Sequence, residues 1–337
     1  MKIYLYPPRC NNPYIFLMIT AFQEGNYEIV DGMMGILQSN ILWLNWYEGV
    51  GKPFRIFKFI AKIGILVYAK IATKKVIYVW HNKQQHNRVD LYSKILRTLQ
   101  IKMSDKVVIL CDETRKYVSQ EVISNKMFKV LHPNYISYYS DMLQVTLQTD
   151  KLRFGYLGSI QPYKNIELLI EVFSQIRSRN IELNIYGKIY DKDYGIRLNA
   201  MMDCDDRIKL HDHFVTDEAM KKVFSNIDVF VCPLDQTSVL NSGSIMLAMS
   251  LKRTVVCPNI GTTSEFRDKD FLYTYDYFSR DVHYIRLKEK IEEVIADYNS
   301  NRNIIVEKGN KAFECVENSN SITIVTKQIC DELSNTL

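Results

Sequence analysis

Phe154-Gly155-Tyr156-Leu157-Gly158-Ser159-Ile160-Gln161-Pro162-Tyr163-Lys164-Asn165 decides the fold. The apolar run at 152–157 is uninterrupted, as expected of a strand buried on both faces of a parallel sheet. It stops at a glycine, passes through a polar turn, and gives way near Asn165 to a helical pattern that continues to residue 177. Gly158 allows close backbone approach by a ligand. Lys164, at the helix entrance, can neutralise a phosphate that the helix N-terminus also attracts. The same residues equally suit a tight turn with a solvated lysine.

Outward from this stretch, short β-rich runs alternate with helical ones. Downstream, the pattern predicts strands at 182–186, 208–210, 229–232, 254–257 and 271–274. Helices are expected at 194–202, 217–225, 243–251 and 283–298, with two more around 304–316 and 322–337. Upstream, strands are expected at 2–6, 27–30, 41–45, 75–80, 106–110 and 128–131, with helices at 14–23, 53–72, 88–99 and 113–124. Such alternation implies parallel sheets covered on both faces. The pattern restarts after a polar segment at 138–150, so two doubly wound units are predicted, 1–150 and 151–321. A last helix at 322–337 is expected to pack back on the first unit. Ligands should bind at the carboxyl ends of the strands, in a cleft between the units.

Composition agrees with a folded α/β chain. Of 337 residues, 47% are hydrophobic and 24% charged, which excludes a disordered chain. The net charge of +5 is uneven: residues 1–150 hold 19 basic and 11 acidic side chains, while 151–337 hold 24 and 27. The basic half should face something anionic, such as a phosphorylated substrate or a membrane. No zinc finger or basic tail is visible, so nucleic acid is not an expected partner. The seven cysteines form no CxxC pair and are read as reduced, which implies the cytoplasm. Residues 1–8 read as a strand entering a turn rather than a signal peptide, and no apolar stretch is long enough to span a bilayer. The absence of GxGxxG and Walker sequences disfavours a nicotinamide enzyme and a P-loop NTPase.

Three further segments carry chemistry. In Asn241-Ser242-Gly243-Ser244, good N-cap residues precede small ones that leave backbone N–H groups accessible to a diphosphate, although a well-capped structural helix would look the same. In Trp80-His81-Asn82, a strand delivers His81 to its carboxyl end, where an imidazole can act as base or hydrogen-bond partner. His86 lies in the polar loop that follows. Asn45-Trp46-Tyr47-Glu48 should end a neighbouring strand, making Glu48 the nearest carboxylate. Asn12, Asn45, Asn82 and His86 are further candidates for lining the cleft. Between Glu48 and Asp90 there is no acid, and Lys52, Arg55, Lys58 and Lys62 accompany many aromatic and aliphatic residues. A helix both basic and apolar fits an anionic membrane interface, with those four side chains on the lipid side. Asp191-Lys192-Asp193 and Asp268-Lys269-Asp270 have DxD spacing, but both lie in charged loops where it arises by chance. No metal site is expected.

Together these segments resemble GT-B fold glycosyltransferases, especially the family 4-like group of bacterial surface polysaccharide synthesis. The similarity spans nearly the whole chain and is most specific at 158–165 and 240–250. It implies a C-terminal domain that binds a nucleoside diphosphate sugar, such as a UDP- or GDP-hexose, and an N-terminal domain that binds the acceptor. Lys164, Ser159 and the amides at 242–244 would contact the donor diphosphate. Val239 and Leu247 stand where many relatives carry two glutamates, so an inverting mechanism is open, with His81 or Glu48 as base. The expected activity is metal-independent, cofactor-free hexosyl transfer to a saccharide or lipid-linked acceptor, at the inner face of the cell membrane. A nucleotide-sugar epimerase and a non-catalytic nucleotide-sugar-binding protein are the alternatives.

Overall fold

The structure is a computed structural model that describes residues 1–8, 12–83, 91–139, 151–202, 205–266 and 270–334. It divides into two compact units. One comprises 1–133, 238–241 and 320–337, and the other 134–237 and 242–319.

The first unit is built on strands β1 (Lys2–Tyr6), β2 (Glu28–Val30), β3 (Ile41–Asn45), β4 (Lys75–Trp80), β5 (Lys106–Ile109) and β6 (Met127–Lys129). They form one parallel sheet in the order β2-β1-β3-β4-β5-β6. Strands β3 and β4 are almost wholly buried, as their continuous apolar sequence requires. The helices are α1 (Pro13–Glu24), α2 (Gly32–Gln38), α3 (Arg55–Ile71), α4 (Leu91–Met103) and α5 (Gln120–Asn125). Three details differ from the sequence reading. α2 was not anticipated, because Gly-Met-Met-Gly-Ile-Leu-Gln is short and holds two glycines. The helix expected at 113–124 is a 3-10 segment, Asp112–Tyr117, followed by α5. Extended Val118 and Ser119 separate them. Finally, α3 does not present its lysines outward as a set. Lys62 shares the buried stripe of Leu66 and Ala69, while Phe54, Ile56, Phe57, Ile60, Val67 and Ile71 are exposed.

The second unit contains β7 (Leu152–Leu157), α6 (Ile166–Ser174), β8 (Ile181–Gly187), α7 (Lys192–Met202), β9 (Ile208–Asp212), α8 (Met220–Phe224), β10 (Val229–Val231), α9 (Gly243–Ser250), β11 (Thr254–Pro258), α10 (Gly261–Ser264), β12 (Tyr273–Tyr275), α11 (Arg280–Ser300) and α12 (Asn303–Ser319). Its parallel sheet runs β9-β8-β7-β10-β11-β12, so strand order reverses between β7 and β10. Phe154, Tyr156, Phe173, Leu183, Ile185, Phe230 and Val256 form the core beside that seam. At its amino-terminal end, buried Arg153 meets Asp228 at 2.6 Å. Two oppositely charged groups sharing hydrogen bonds are the form in which charge survives burial. The final helix, α13 (Ile322–Ser334), returns to the first unit and packs on α1, where Thr326 Oγ1 donates to Ala21 O.

The close approach of β8 to the loop after β7 depends on Gly187. A Cβ there would fall 1.8 Å from Gly158 O, and the residue has φ +155°. Gly187→Ala should therefore lower unfolding free energy by about 2 kcal/mol or more, at the severe end of single substitutions. Urea denaturation followed by circular dichroism checks this, and an unchanged midpoint would contradict the packing described.

Candidate functional site

In the second unit, the carboxyl ends of β7 and β10 diverge where strand order reverses, which is where open α/β sheets bind ligands. Two loops meet there. After β7, Gly158 N–H donates to Tyr186 O and Ile160 N–H to Lys188 O, so the chain continues along β8. Tyr156 Oη donates to Ser159 O. The loop closes through a 3-10 turn, Pro162–Lys164, and enters α6 with Asn165 in the left-handed conformation (φ 55°). From that position Asn165 Nδ2 donates to Pro233 O at 2.8 Å, tying the loop after β7 to the loop after β10.

Lys164 is half-buried beside this tie. Its ammonium lies 5.0 Å from the Tyr163 ring and makes no ion pair among the described residues. On the other side, Ser242 caps α9 by accepting from Ile245 N–H at 3.4 Å, and Met246 N–H returns to Ser242 O. The amides of Gly243 and Ser244 are left as open donors of the first turn among the described residues. Cys232, at the end of β10, joins the two sides. Burial pushes its thiol up to about 11, while the Lys164 charge and a hydrogen bond to Ser242 pull it down. Lys164 thus neighbours the Asn165–Pro233 tie, one residue from Cys232, and its charge and Ser242 at the start of α9 both act on that thiol. A cation plus two aligned amides at a helix N-terminus is suited to a diphosphate.

Asp191 Oδ1 accepts from Tyr194 N–H, which ties down the start of α7. Asp268 and Lys269 fall outside the described residues. Leu247 lies on α9, four residues beyond Gly243. The loop at 234–237 is held by Tyr277, whose hydroxyl donates to Leu234 O and whose ring stacks on His283 at 3.9 Å.

In the first unit, β3 and β4 are paired, with Asn45 opposite Val79, and their ends gather the polar candidates. Asn45 Nδ2 donates to Tyr6 O, so its Oδ1 faces His81 Nε2 at 3.0 Å. This assigns the imidazole proton to Nε2 and leaves the lone pair on Nδ1. His81 stacks on Trp46 at 4.1 Å and meets the Tyr14 ring edge-on at 5.4 Å. Tyr14 also touches Trp46 and His132, at 5.6 and 5.0 Å. Burial, with the adjacent His132, holds the His81 imidazole well below its ordinary value. It is therefore a neutral hydrogen-bonding group, and a weaker base than an exposed histidine.

Glu48 is buried and paired with Arg97 at 3.1 Å, so its carboxylate is not an open base. Asn12 is the N-cap of α1, accepting from Tyr14 N–H. Asn82 O accepts from Trp80 Nε1. His86 lies outside the described residues. The side chain of Asn241 donates to His81 O at 2.8 Å and is committed to this unit rather than to a phosphate. Of the four lipid-side candidates, Lys52 is exposed, Lys58 donates to Gly51 O, and Arg55 lies 5.0 Å from the Tyr92 ring. Lys62 instead points inward, its Nζ donating to Tyr47 O and Gly49 O. The aromatic group of Tyr14, Trp46 and His132 was not singled out in the sequence. Only the αL residue at the end of β3 brings Trp46 over His81, and local sequence carries little signal for it.

The fold these two units define is GT-B. A crystal structure of Anabaena HepE in complex with UDP and glucose is similar over 99% of this chain and 100% of that one, with a TM-score of 0.72 at 13% identity. Sucrose-phosphate synthase from Thermosynechococcus elongatus is similar over 99% and 98%, with a TM-score of 0.72 at 11% identity. Residues 151–282 match the family model described as "Glycosyl transferases group 1". In sequence, a GDP-mannose:glycolipid 4-beta-D-mannosyltransferase of Xanthomonas campestris pv. campestris is 28% identical over 129 residues. That alignment covers 38% of this chain and only 36% of the relative's length.

Two outcomes follow from this geometry. Lys164→Ala should weaken nucleoside diphosphate binding by about 1.5–3 kcal/mol, the range for a hydrogen bond to a charged group, as read by calorimetry. The histidines give a pH dependence. Burial lowers His132 and His283 to about 4, below their unfolded value near 6.5. The unfolded chain thus takes up protons first, and stability is complete above pH 6.5 and falls as pH drops toward 4. The loss is about 1.4 kcal/mol per pH unit for each histidine. Denaturant midpoints should be lower at pH 5.5 than at pH 7.5, and equal midpoints would mean these rings are solvated.

Proposed function

We propose that the protein is a glycosyltransferase that moves a hexose from a nucleoside diphosphate sugar to a hydroxyl of a lipid-linked saccharide. The reading rests on one observation above all. At the strand reversal between β7 and β10, Lys164 makes no ion pair among the described residues and sits next to the Asn165–Pro233 tie, and the loop after β10 leads into α9 with the amides of Gly243 and Ser244 at its start, in a segment that matches a group 1 glycosyl transferase model. In the reaction, an acceptor hydroxyl attacks the anomeric carbon and the bond from that carbon to the diphosphate oxygen breaks. The hydroxyl proton passes to a base or to solvent. Lys164 and the helix amides stabilise the charge that builds on the leaving diphosphate. Their placement before the reaction supplies the advantage, since no reorganisation is needed as the charge develops.

The mannosyltransferase relative makes GDP-mannose the first donor to test, and its glycolipid acceptor supports a lipid-linked substrate here. A β product from an α-linked donor requires inversion, which suits a sequence in which hydrophobic Val239 and Leu247 stand where the resemblance would place carboxylates. In the first unit, the neutral His81, with no partner on Nδ1 among the described residues, would orient the acceptor hydroxyl.

A peripheral position at the inner membrane face is part of the same reading. Phe57 and Ile71 on α3 are 75% and 78% exposed, and Met33 on α2 is 85% exposed. Lys74, just past the end of α3, donates to the carbonyl of Leu37 at 2.8 Å, and α2 and α3 share a core through Ile36, Leu66 and Ala69. Both helices thus carry large apolar side chains that are exposed in the described structure, which supports contact with a membrane interface. No helix among the described residues is long and apolar enough to cross a membrane.

A panel of nucleotide sugars offered with and without lipid-linked saccharide tests the first claim. GDP-mannose should raise the melting temperature, and release of nucleoside diphosphate should require the acceptor. Failure of every nucleotide sugar to bind would remove the reading, and turnover without any acceptor would favour an epimerase. For the membrane claim, Phe57→Asp combined with Ile60→Asp should reduce sedimentation with anionic vesicles about tenfold or more, since each side chain buries apolar area in the interface. Equal sedimentation of both proteins would reject it.

A further inference from the structure

Lys62 is placed where an apolar residue would be expected. It lies between the exposed turns of α3, on the stripe that includes Leu66 and Ala69, and its side chain enters the first unit rather than the solvent. Its ammonium donates to the carbonyls of Tyr47 and Gly49, at 2.7 Å each, and sits 4.8 and 4.7 Å from the rings of Tyr6 and Tyr47. The Tyr47 hydroxyl donates back to Lys62 O at 3.1 Å. Helix and loop are thus joined in both directions. An ammonium held mainly by neutral carbonyls costs more to bury than a methionine of similar length. Its presence therefore points to a role other than core filling.

The loop it grips is also anchored by Tyr47, which is buried in the core of the first unit, and by a turn in which Gly49 N–H donates to Trp46 O at 3.1 Å. Between the end of β3 and the start of α3, Trp46 and Phe54 both adopt left-handed conformations, with φ 47° and 61°. Such conformations in large residues persist only where the surroundings enforce them. In this one, Trp46 lies flat on His81, 4.1 Å away and 21° from parallel. Two residues on, Glu48 reaches Arg97 of α4.

We propose that Lys62 is a positioning residue, whose ammonium holds the 46–49 turn so that Trp46 is seated on His81 and presents its indole beside the acceptor-side imidazole. The assignment to acceptor handling rests on the glycosyltransferase reading above, but the clamp itself does not. The groups facing Lys62 are Tyr6 from β1, Tyr47 and Glu48 from the loop, and Lys58 one turn earlier in α3. Arg97 of α4 acts on it through Glu48. Burial lowers the lysine to about 8, Glu48 opposes the shift, and Lys58 adds to it. Loss of the proton exchanges two charge-assisted bonds for two weaker neutral ones, which loosens the turn.

The test is tryptophan fluorescence of the whole protein between pH 6.5 and 9, with the spectrum of Trp46→Phe subtracted to isolate Trp46. The isolated signal should change with a midpoint near pH 8. Lys62→Met should hold the altered spectrum across that range. Lys62→Arg, which stays charged, should show no step and keep the low-pH spectrum. In transfer assays, Lys62→Met should lower kcat/KM for the acceptor at least fivefold while leaving the dissociation constant of nucleoside diphosphate unchanged. A Trp46 signal that is flat with pH overturns the proposal even if Lys62→Met fails to fold. So does a folded Lys62→Met with the native spectrum and native acceptor kinetics. A normal pH step in a protein that transfers no sugar supports the clamp and removes the transferase reading instead.

Discussion

In the second unit, the constraint on which the candidate site depends is the reversal of strand order between β7 and β10. Successive parallel strands must be joined by crossovers on the faces of the sheet, and crossovers of one hand lead away from a central strand in opposite directions when the order reverses. The chain leaving β7 therefore turns toward β8, while the chain leaving β10 turns toward β11. A crevice opens between them without any side chain having to hold it open. What side chains do is limit its width: Asn165 bonds Pro233 across it, and Gly187 lets the β7 loop approach β8 closely. Lys164 and the first turn of α9 lie at the carboxyl ends of β7 and β10 because of this geometry.

The first unit solves a different problem. Its sheet also reverses order, between β1 and β3, but the side chains near the β3 and β4 ends are mostly committed to one another. Asn45 is bonded on both sides, Glu48 has Arg97, and Asn241 has a backbone carbonyl. What remains is half-buried Trp46 stacked on the buried, neutral His81, a group without fixed charge. The contrast with the cationic, amide-lined end of the second unit is chemical.

Helix α3 shows how composition can mislead about orientation. Seven basic residues between 52 and 75 suggest a charged outer face. In the structure, Lys62 is buried, Lys70 pairs with Asp105, and Lys74 reaches carbonyls at the end of α2, while phenylalanine and isoleucine look outward. Several lysines are thus occupied in holding α3 to its unit. The membrane reading depends less on charge than composition suggested, and more on exposed apolar area.

The sequence by itself determined the architecture. Uninterrupted apolar strands such as 152–157 and 75–80 demand burial on both faces, and their alternation with helices leaves parallel sheets as the outcome. It also determined the turn chemistry at Gly158–Lys164 and the cap at Ser242, because caps and tight turns depend on residues a few positions apart. What it did not contain was the destination of long side chains. That Lys62 turns inward, that Asn241 bonds His81 O, and that Trp46 covers His81 are settled by contacts spanning 15, 160 and 35 residues. No local pattern encodes such pairings. Only the tertiary structure decided them, since a polar group's partner is whichever unsatisfied atom the packed chain brings within about 3 Å of it.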